Sequence, residues 1–232
     1  MYSPTYADLK AYLQKELDLE DETFITAQEF LDYFNEAVDM IEASIHNIYE
    51  DYFLTNSSLS ILNGQAAYNL PTDIYAQKIR KILYNDGSAY KYEIRRVKKL
   101  EETMFIQTPD LFSYILTNDA IAGLKITLFP TPVADAPYVT VWYIRNAKRF
   151  TSNTDVCDIP EFTNVLVQFV RWKCMSKEGH PDTVQALEDL GRMKQEMVDT
   201  LTARVPDEDN FVLKDMSFYR DYDDWRFGGG QY

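Results

Sequence analysis

Residues 59–74 read LSILNGQAAYNLPTDI, and at this stretch the sequence changes from helical to strand-like periodicity. Asn63-Gly64 suits the tight turn of a hairpin, because both residues tolerate a positive φ. The pattern predicts two paired strands, Leu59–Leu62 and Gln65–Asn69. It also predicts that Leu70 and Ile74 are core positions around a turn fixed by Pro71.

Two helices are predicted before this stretch. The first runs from Thr5 to about Leu17, with apolar residues three and four positions apart. The second opens at Thr26 with a capping box to Glu29 and keeps one apolar stripe to about residue 52. Its opposite face is predicted to carry acids and to lie in solvent. That face is formed by Asp32, Glu36, Asp39, Glu42 and Glu50.

More strands are predicted after it. Lys78–Tyr84 and Tyr90–Ile94 flank an Asn-Asp-Gly turn, and Ser113–Thr117 and Leu124–Phe129 flank a second turn. The strongest strand signal is Tyr138–Ile144, which is almost entirely β-branched or aromatic. A short helix is predicted for Val97–Ile106.

Helices return after residue 150. One begins at Ile159-Pro160-Glu161, is apolar on most sides, and ends at Gly179 as a left-handed C-cap. The next runs from Asp182 to about Ala203, with an apolar stripe that includes Val184, Leu187 and Leu190. Beyond Arg204 the periodicity stops. Residues 205–232 hold seven acids and seven aromatic residues, which is typical of a segment that docks on a partner.

The predicted fold class is therefore α+β: a helical bundle built from N- and C-terminal helices, with an inserted antiparallel β-rich region and an extended C-terminal arm. The boundaries are 1–56 for the N-terminal helices, 57–150 for the insertion, 151–204 for the C-terminal helical pair and 205–232 for the arm. No internal repeat is found.

Composition and net charge disfavour some classes of function. The 232 residues carry 37 acids and 23 bases, a formal charge of −14, which disfavours wrapping nucleic acid or an anionic membrane. Apolar runs are too short for a membrane span. Residues 1–56 carry 13 acids and two bases, whereas residues 57–150 carry eight acids and 12 bases. This asymmetry suggests charge-complementary contact between neighbouring copies, or solvated faces that differ by chance.

Signals for catalysis are weak. There is no glycine-rich phosphate loop and no nucleophile elbow, and the two histidines, His46 and His180, are expected on a helix surface and in a turn. Cys157 and Cys174 are expected as reduced thiols. We therefore predict no enzyme, no cofactor and no metal site. One basic cluster is notable and consists of Arg95, Arg96, Lys98 and Lys99. Lys78, Arg80 and Lys81 lie on the predicted hairpin that precedes it.

The order of these elements resembles the head-to-tail adaptor proteins of short-tailed bacteriophages. The resemblance rests on the Tyr-x-Leu-Pro-x-Asp segment at Tyr68–Asp73 after a long acidic helix, and on the helical pair that begins at Ile159-Pro160-Glu161-Phe162. It covers residues 26–204 by layout. It implies a homo-oligomeric ring of twelve subunits under the portal vertex, with the genome passing through its lumen without specific binding.

The resemblance also implies partners and a location. A portal protein and a downstream tail or nozzle protein would bind the ring in the virion, at the head–tail junction, after assembly in the host cytoplasm and without a membrane. The arm is similar to segments with which such adaptors grip the portal. The candidate subunit or portal interface comprises the basic cluster, as Arg95, Arg96, Lys98 and Lys99, and the arm residues Phe211, Phe218, Tyr219, Tyr222, Trp225 and Phe227.

Other functions remain open at this point. Another neck or tail-tube protein of the virion would have a similar setting. A virion-associated cell-wall hydrolase could draw on the many acids, although no carboxylate pair is singled out. An acidic protein could also act as a DNA-mimic inhibitor.

Overall fold

The computed structural model describes residues 3–18, 24–85, 91–97, 113–119, 123–133 and 135–209. The described helices are α1 Tyr6–Glu16, α2 Ala27–Ile48, α3 Thr163–Glu178 and α4 Thr183–Asp209, with 3₁₀ turns at Glu50–Phe53 and Pro160–Phe162. The strands are β1 Leu54–Ile61, β2 Ala67–Asn69, β3 Ile74–Asn85, β4 Lys91–Glu93, β5 Arg95–Arg96, β6 Ser113–Asp119, β7 Gly123–Phe129 and β8 Ala136–Arg145. The α+β prediction is confirmed.

The predicted capping box at the start of α2 is confirmed, with Thr26 and Glu29 bonding reciprocally, but α2 ends at Ile48 and not near residue 52. Thr5 and Asp8 form a capping box at α1 that was not predicted from the sequence. Gly179 ends α3 with a φ of 70°, a left-handed conformation that a residue without a Cβ adopts at no steric cost.

The four helices pack into one bundle, as the sequence predicted. Its core draws on α1, α2, α3 and α4 together with the loop after β8. Each fully buried side chain of this size contributes about 1.5–3 kcal/mol. Side chains with no exposed surface are Leu13, Phe34, Ile41, Leu166, Val170 and Leu201.

The buried face of α4 differs from the prediction. Leu190 faces the core as predicted, but Val184 and Leu187 are exposed and Ala186 is buried in their place. The Ala186 carbonyl accepts a hydrogen bond from the buried Gln168 amide at 2.9 Å, which is consistent with this rotation of the helix. The helix also continues to Asp209, past its predicted end near Ala203.

The described strands of the β-rich region form two four-stranded sheets. Their strand orders are β1-β8-β3-β4 and β2-β7-β6-β5. Every pairing is antiparallel except that of β5 with β6. A second hydrophobic core includes Tyr68, Leu70, Ile82, Ile126 and Val141, so this region buries its own apolar surface. Leu70 is 6% exposed and Ile74 is partly buried.

The first predicted hairpin is wrong. A turn does form, with Gly64 at a φ of 75° and the Gln65 amide donating to the Leu62 carbonyl. However, β1 pairs with β8 and β2 pairs with β7, so the chain crosses from one sheet to the other. The turn depends on neighbouring residues in the chain, whereas strand pairing depends on which apolar side chains the two sheets bury.

The other predicted strand pairs are confirmed. β3 pairs with β4, β6 pairs with β7, and β8 lies between β1 and β3. The helix predicted at Val97–Ile106 lies outside the described residues from position 98 onward.

Candidate assembly interface

The helical bundle contacts the β-rich region where His46, Glu50 and Asp51 meet Tyr75, Lys78 and Arg80 of β3, and we call this contact the joint. A bulge interrupts β3 at this point. The register of β3 on β8 shifts between Ile74 and Ile79. Within this bulge Ala76 and Gln77 have φ values of 45° and 59°, which L-residues rarely adopt. The bulge presents Tyr75 to α2.

His46 packs against that tyrosine. It is buried, whereas the sequence predicted a position on the helix surface. Its ring stacks on Tyr75 with centroids 3.6 Å apart, and Nε2 lies 3.5 Å from a Glu42 carboxylate oxygen. Neither ring nitrogen has a hydrogen-bond partner among the described residues. Burial lowers the pKa of His46 below its ordinary value, because the charged ring would lose its hydration.

Glu42 was predicted on the solvent-facing side of α2, and it too is buried. Its carboxylate accepts the Ala147 amide at 2.6 Å and the Arg149 guanidinium at 2.5 Å. These bonds attach the segment after β8 to the middle of α2. A buried carboxylate is retained where such partners replace its water.

The rim of the joint is ionic. Lys78 and Arg80 of β3 bind Glu50, and Arg80 also donates to Asp51 at 2.8 Å. The hydrogen bond from Lys78 is the main reason that the pKa of Glu50 lies below its usual value. Two bases of the predicted basic neighbourhood are therefore neutralised within the chain.

The acidic face of α2 is neutralised in the same way. Glu29 binds Lys177 at 2.7 Å and Glu36 binds Lys173 at 2.6 Å. The hydrogen bond from Lys177, followed by those from Thr26, lowers the pKa of Glu29 to about 2. These two acids of α2 are thus paired with bases of α3 within the chain.

A basic groove lies between the two sheets, close to the joint. It has a volume of about 500 Å³. Arg95 and Arg96 are exposed and have no ion-pair partner among the described residues. We call this feature the basic groove; it is lined by Ile79, Arg80, Lys81, Glu93, Ile94, Arg95, Arg96 and Tyr114.

The structure thus brings part of the predicted interface together. Arg95 and Arg96 share one groove with Arg80 and Lys81, which the sequence had placed on the preceding strand. Other predicted interface residues lie outside the described residues: Lys98, Lys99, Phe211, Phe218, Tyr219, Tyr222, Trp225 and Phe227.

Groups with reactive potential are buried or scattered. Cys157 and Cys174 are free and buried, and burial raises the pKa of the Cys174 thiol to about 12. His180 lies in the α3–α4 turn, where its Nδ1 accepts the Asp182 amide. Within the described ranges no three His, Cys, Asp or Glu side chains are grouped to hold a metal ion. No described helix is long and apolar enough to cross a membrane.

Comparison with known proteins gives one family. The model of the family described as SU10 adaptor protein matches residues 4–226 of the chain. This match includes the N- and C-terminal helices, the two sheets and most of the arm. No curated protein matches the sequence.

Proposed function

The chain belongs to the SU10 adaptor protein family, and from this membership we propose that its copies form a ring that connects the portal to the tail and lets genomic DNA pass through the lumen. A phage adaptor is a structural component of the virion that contacts other virion proteins. The observation that carries the proposal is the extent of the match, which covers residues 4–226.

The subunit's architecture supports a ring. A ring requires two different patches on each subunit, one meeting the other on the next copy. The helical bundle and the β-rich region have separate cores, so they offer distinct surfaces on either side of the joint. We propose twelve copies, with a portal protein on one face and a tail or nozzle protein on the other.

The interface we propose has two elements. Arg95 and Arg96 supply positive charge on an exposed edge strand, and the arm supplies aromatic residues and acids. Lys98 and Lys99 follow Arg95 and Arg96 in the sequence. Charge complementarity of this kind fixes register and partner choice more than strength.

Net charge supports a channel that does not hold DNA. Each phosphate–cation contact adds affinity through counterion release, so a basic lumen would slow genome passage. A subunit with a formal charge of −14 repels the phosphate backbone. The ring would act at the head–tail junction of the virion, after assembly in the host cytoplasm.

The test is electron microscopy of the full chain purified with its portal. We expect ring density stacked on one face of the portal. The variant R95E/R96E should lose this density, whereas R192E, which reverses an exposed charge on α4, should retain it. Binding at another level of the tail would favour a neck or tail-tube protein, and failure to bind any virion component would contradict the proposal.

A further inference from the structure

A chain of contacts links Arg204 of the last helix to the basic groove. Arg204, in the last turns of α4, binds Glu161 at 2.7 Å. Both charges lie near Tyr52, whose pKa is raised to about 12 by burial and next by Glu161. Asp51, the preceding residue, binds Arg80, which lines the groove. Arg204 therefore lies a few side chains from the groove, and α4 ends five residues later at Asp209.

The lining of the groove favours an acidic, aromatic peptide over nucleic acid. Its rim is positive, and its base is lined by the half-buried Ile79 and by the edges of the core residues Ile94 and Tyr114. Glu93 lies among the bases and repels carboxylates as well as phosphates, so the preference for a peptide rests on the apolar part of the lining. Apolar surface beneath a positive rim suits aromatic rings that alternate with carboxylates.

One segment of the arm has this composition. Asp221-Tyr222-Asp223-Asp224-Trp225 places three carboxylates and two aromatic rings within five residues. Eleven residues separate Asp209 from Asp221, and the twelve Cα–Cα steps between these two residues span at most about 40 Å. The segment can therefore reach the groove from the end of α4.

We propose that Asp221–Trp225 occupies the basic groove of its own chain in the free subunit. A connection of eleven residues gives an effective concentration in the millimolar range, so a dissociation constant of about 100 μM would keep about 90% of the groove filled. The inference rests on the proposed function, since the arm and the groove are both proposed interface elements. While each covers the other, neither is available to a neighbour, and ring formation waits for a partner that displaces the arm.

Disulfide trapping in the full-length chain tests the contact. The double variant Arg96→Cys, Tyr222→Cys adds one thiol to the groove and one to the segment, and both native cysteines are buried and free. Under mild oxidation of a dilute sample we expect both engineered thiols to disappear while the protein remains monomeric on a non-reducing gel. A melting curve like that of the wild type shows that the variant is folded.

The matched control pairs Tyr222→Cys with Arg192→Cys. Arg192 is exposed and lies about 26 Å along α4 from Asp209, within reach of the arm but not in the groove. We expect it to crosslink several-fold more slowly. Equal rates in the two variants, or no crosslink at Arg96, would overturn the proposal. A ladder of linked chains would overturn it too, because the occupant would then be a second copy.

Charge reversal separates recognition from mere proximity. Adding Arg95→Glu to the trapping variant should slow the crosslink several-fold, and adding Asp223→Lys and Asp224→Lys as well should restore it. Absence of rescue would contradict charge-based docking. Ring formation on the portal is measured separately, so a failed trap with intact rings removes this inference and leaves the proposed function standing.

Discussion

At the residue scale, the burial of His46 couples stability to pH just below neutrality. Its pKa is lowered in the fold, so between that value and its ordinary pKa the unfolded chain binds a proton that the folded chain does not. The His46 contribution therefore does not change above about pH 6.5. As the pH drops through this window it lowers the free energy of unfolding, by at most about 1.4 kcal/mol per pH unit. The charged or titratable groups around it are Glu42, Glu50, Tyr75, Lys78 and Arg149.

We predict that His46→Phe flattens this dependence. Phenylalanine keeps a ring against Tyr75 and removes the titrating group. Urea unfolding at several pH values between 5 and 8 measures the slope. The control is His180→Gln, which removes an exposed histidine and should leave the slope unchanged. An unchanged slope in His46→Phe would assign the acid sensitivity to another group.

Leu70 tests the importance of the segment that connects β2 to β3. It is 6% exposed in the core between the sheets, so Leu70→Ala should lower the free energy of unfolding by about 2–5 kcal/mol. Leu62→Ala is the matched control, because Leu62 is 51% exposed and its loss should cost less than about 0.5 kcal/mol. Thermal melts of both variants decide, and similar melting temperatures would show that Leu70 has no core role.

At the element scale, the start of α2 is held by one capping box. Thr26→Ala removes the hydroxyl that accepts the Glu29 amide and should cost about 1 kcal/mol. Thr202→Ala is the control, since its hydroxyl bonds only to the Val198 carbonyl within α4 and the residue is exposed. Chemical denaturation compares the two. Equal losses would mean that hydroxyl removal, and not capping, accounts for the effect.

At the scale of the whole molecule, the free protein should be a monomer or a loose oligomer that closes into a ring only on its platform. The subunit keeps a formal charge of −14 although many acids of α2 are paired within it, so crowded copies repel one another. Sedimentation velocity at low and high salt measures the state of the free protein. A stable closed ring at low salt without the portal would show that repulsion does not control assembly.

The sequence determined by itself the features that depend on near neighbours in the chain. The capping box at Thr26, the left-handed end of α3 at Gly179 and the strong strand β8 each follow from side chains a few positions apart. The separation of helical ends from a β-rich middle follows from the change in period, and the resemblance to phage adaptors followed from that order.

The tertiary structure decided which surfaces those elements share. His46 and Glu42 sit at helical positions that could face water, and a bulge in β3 and the loop after β8 bury them. Likewise, β1 and β2 flank a good turn yet join different sheets, because pairing depends on the cores they cover. Arg95 and Arg96 form a groove with Arg80 and Lys81 only where two sheets meet. Burial and pairing depend on residues far apart in the chain, and local pattern holds no information about those distances.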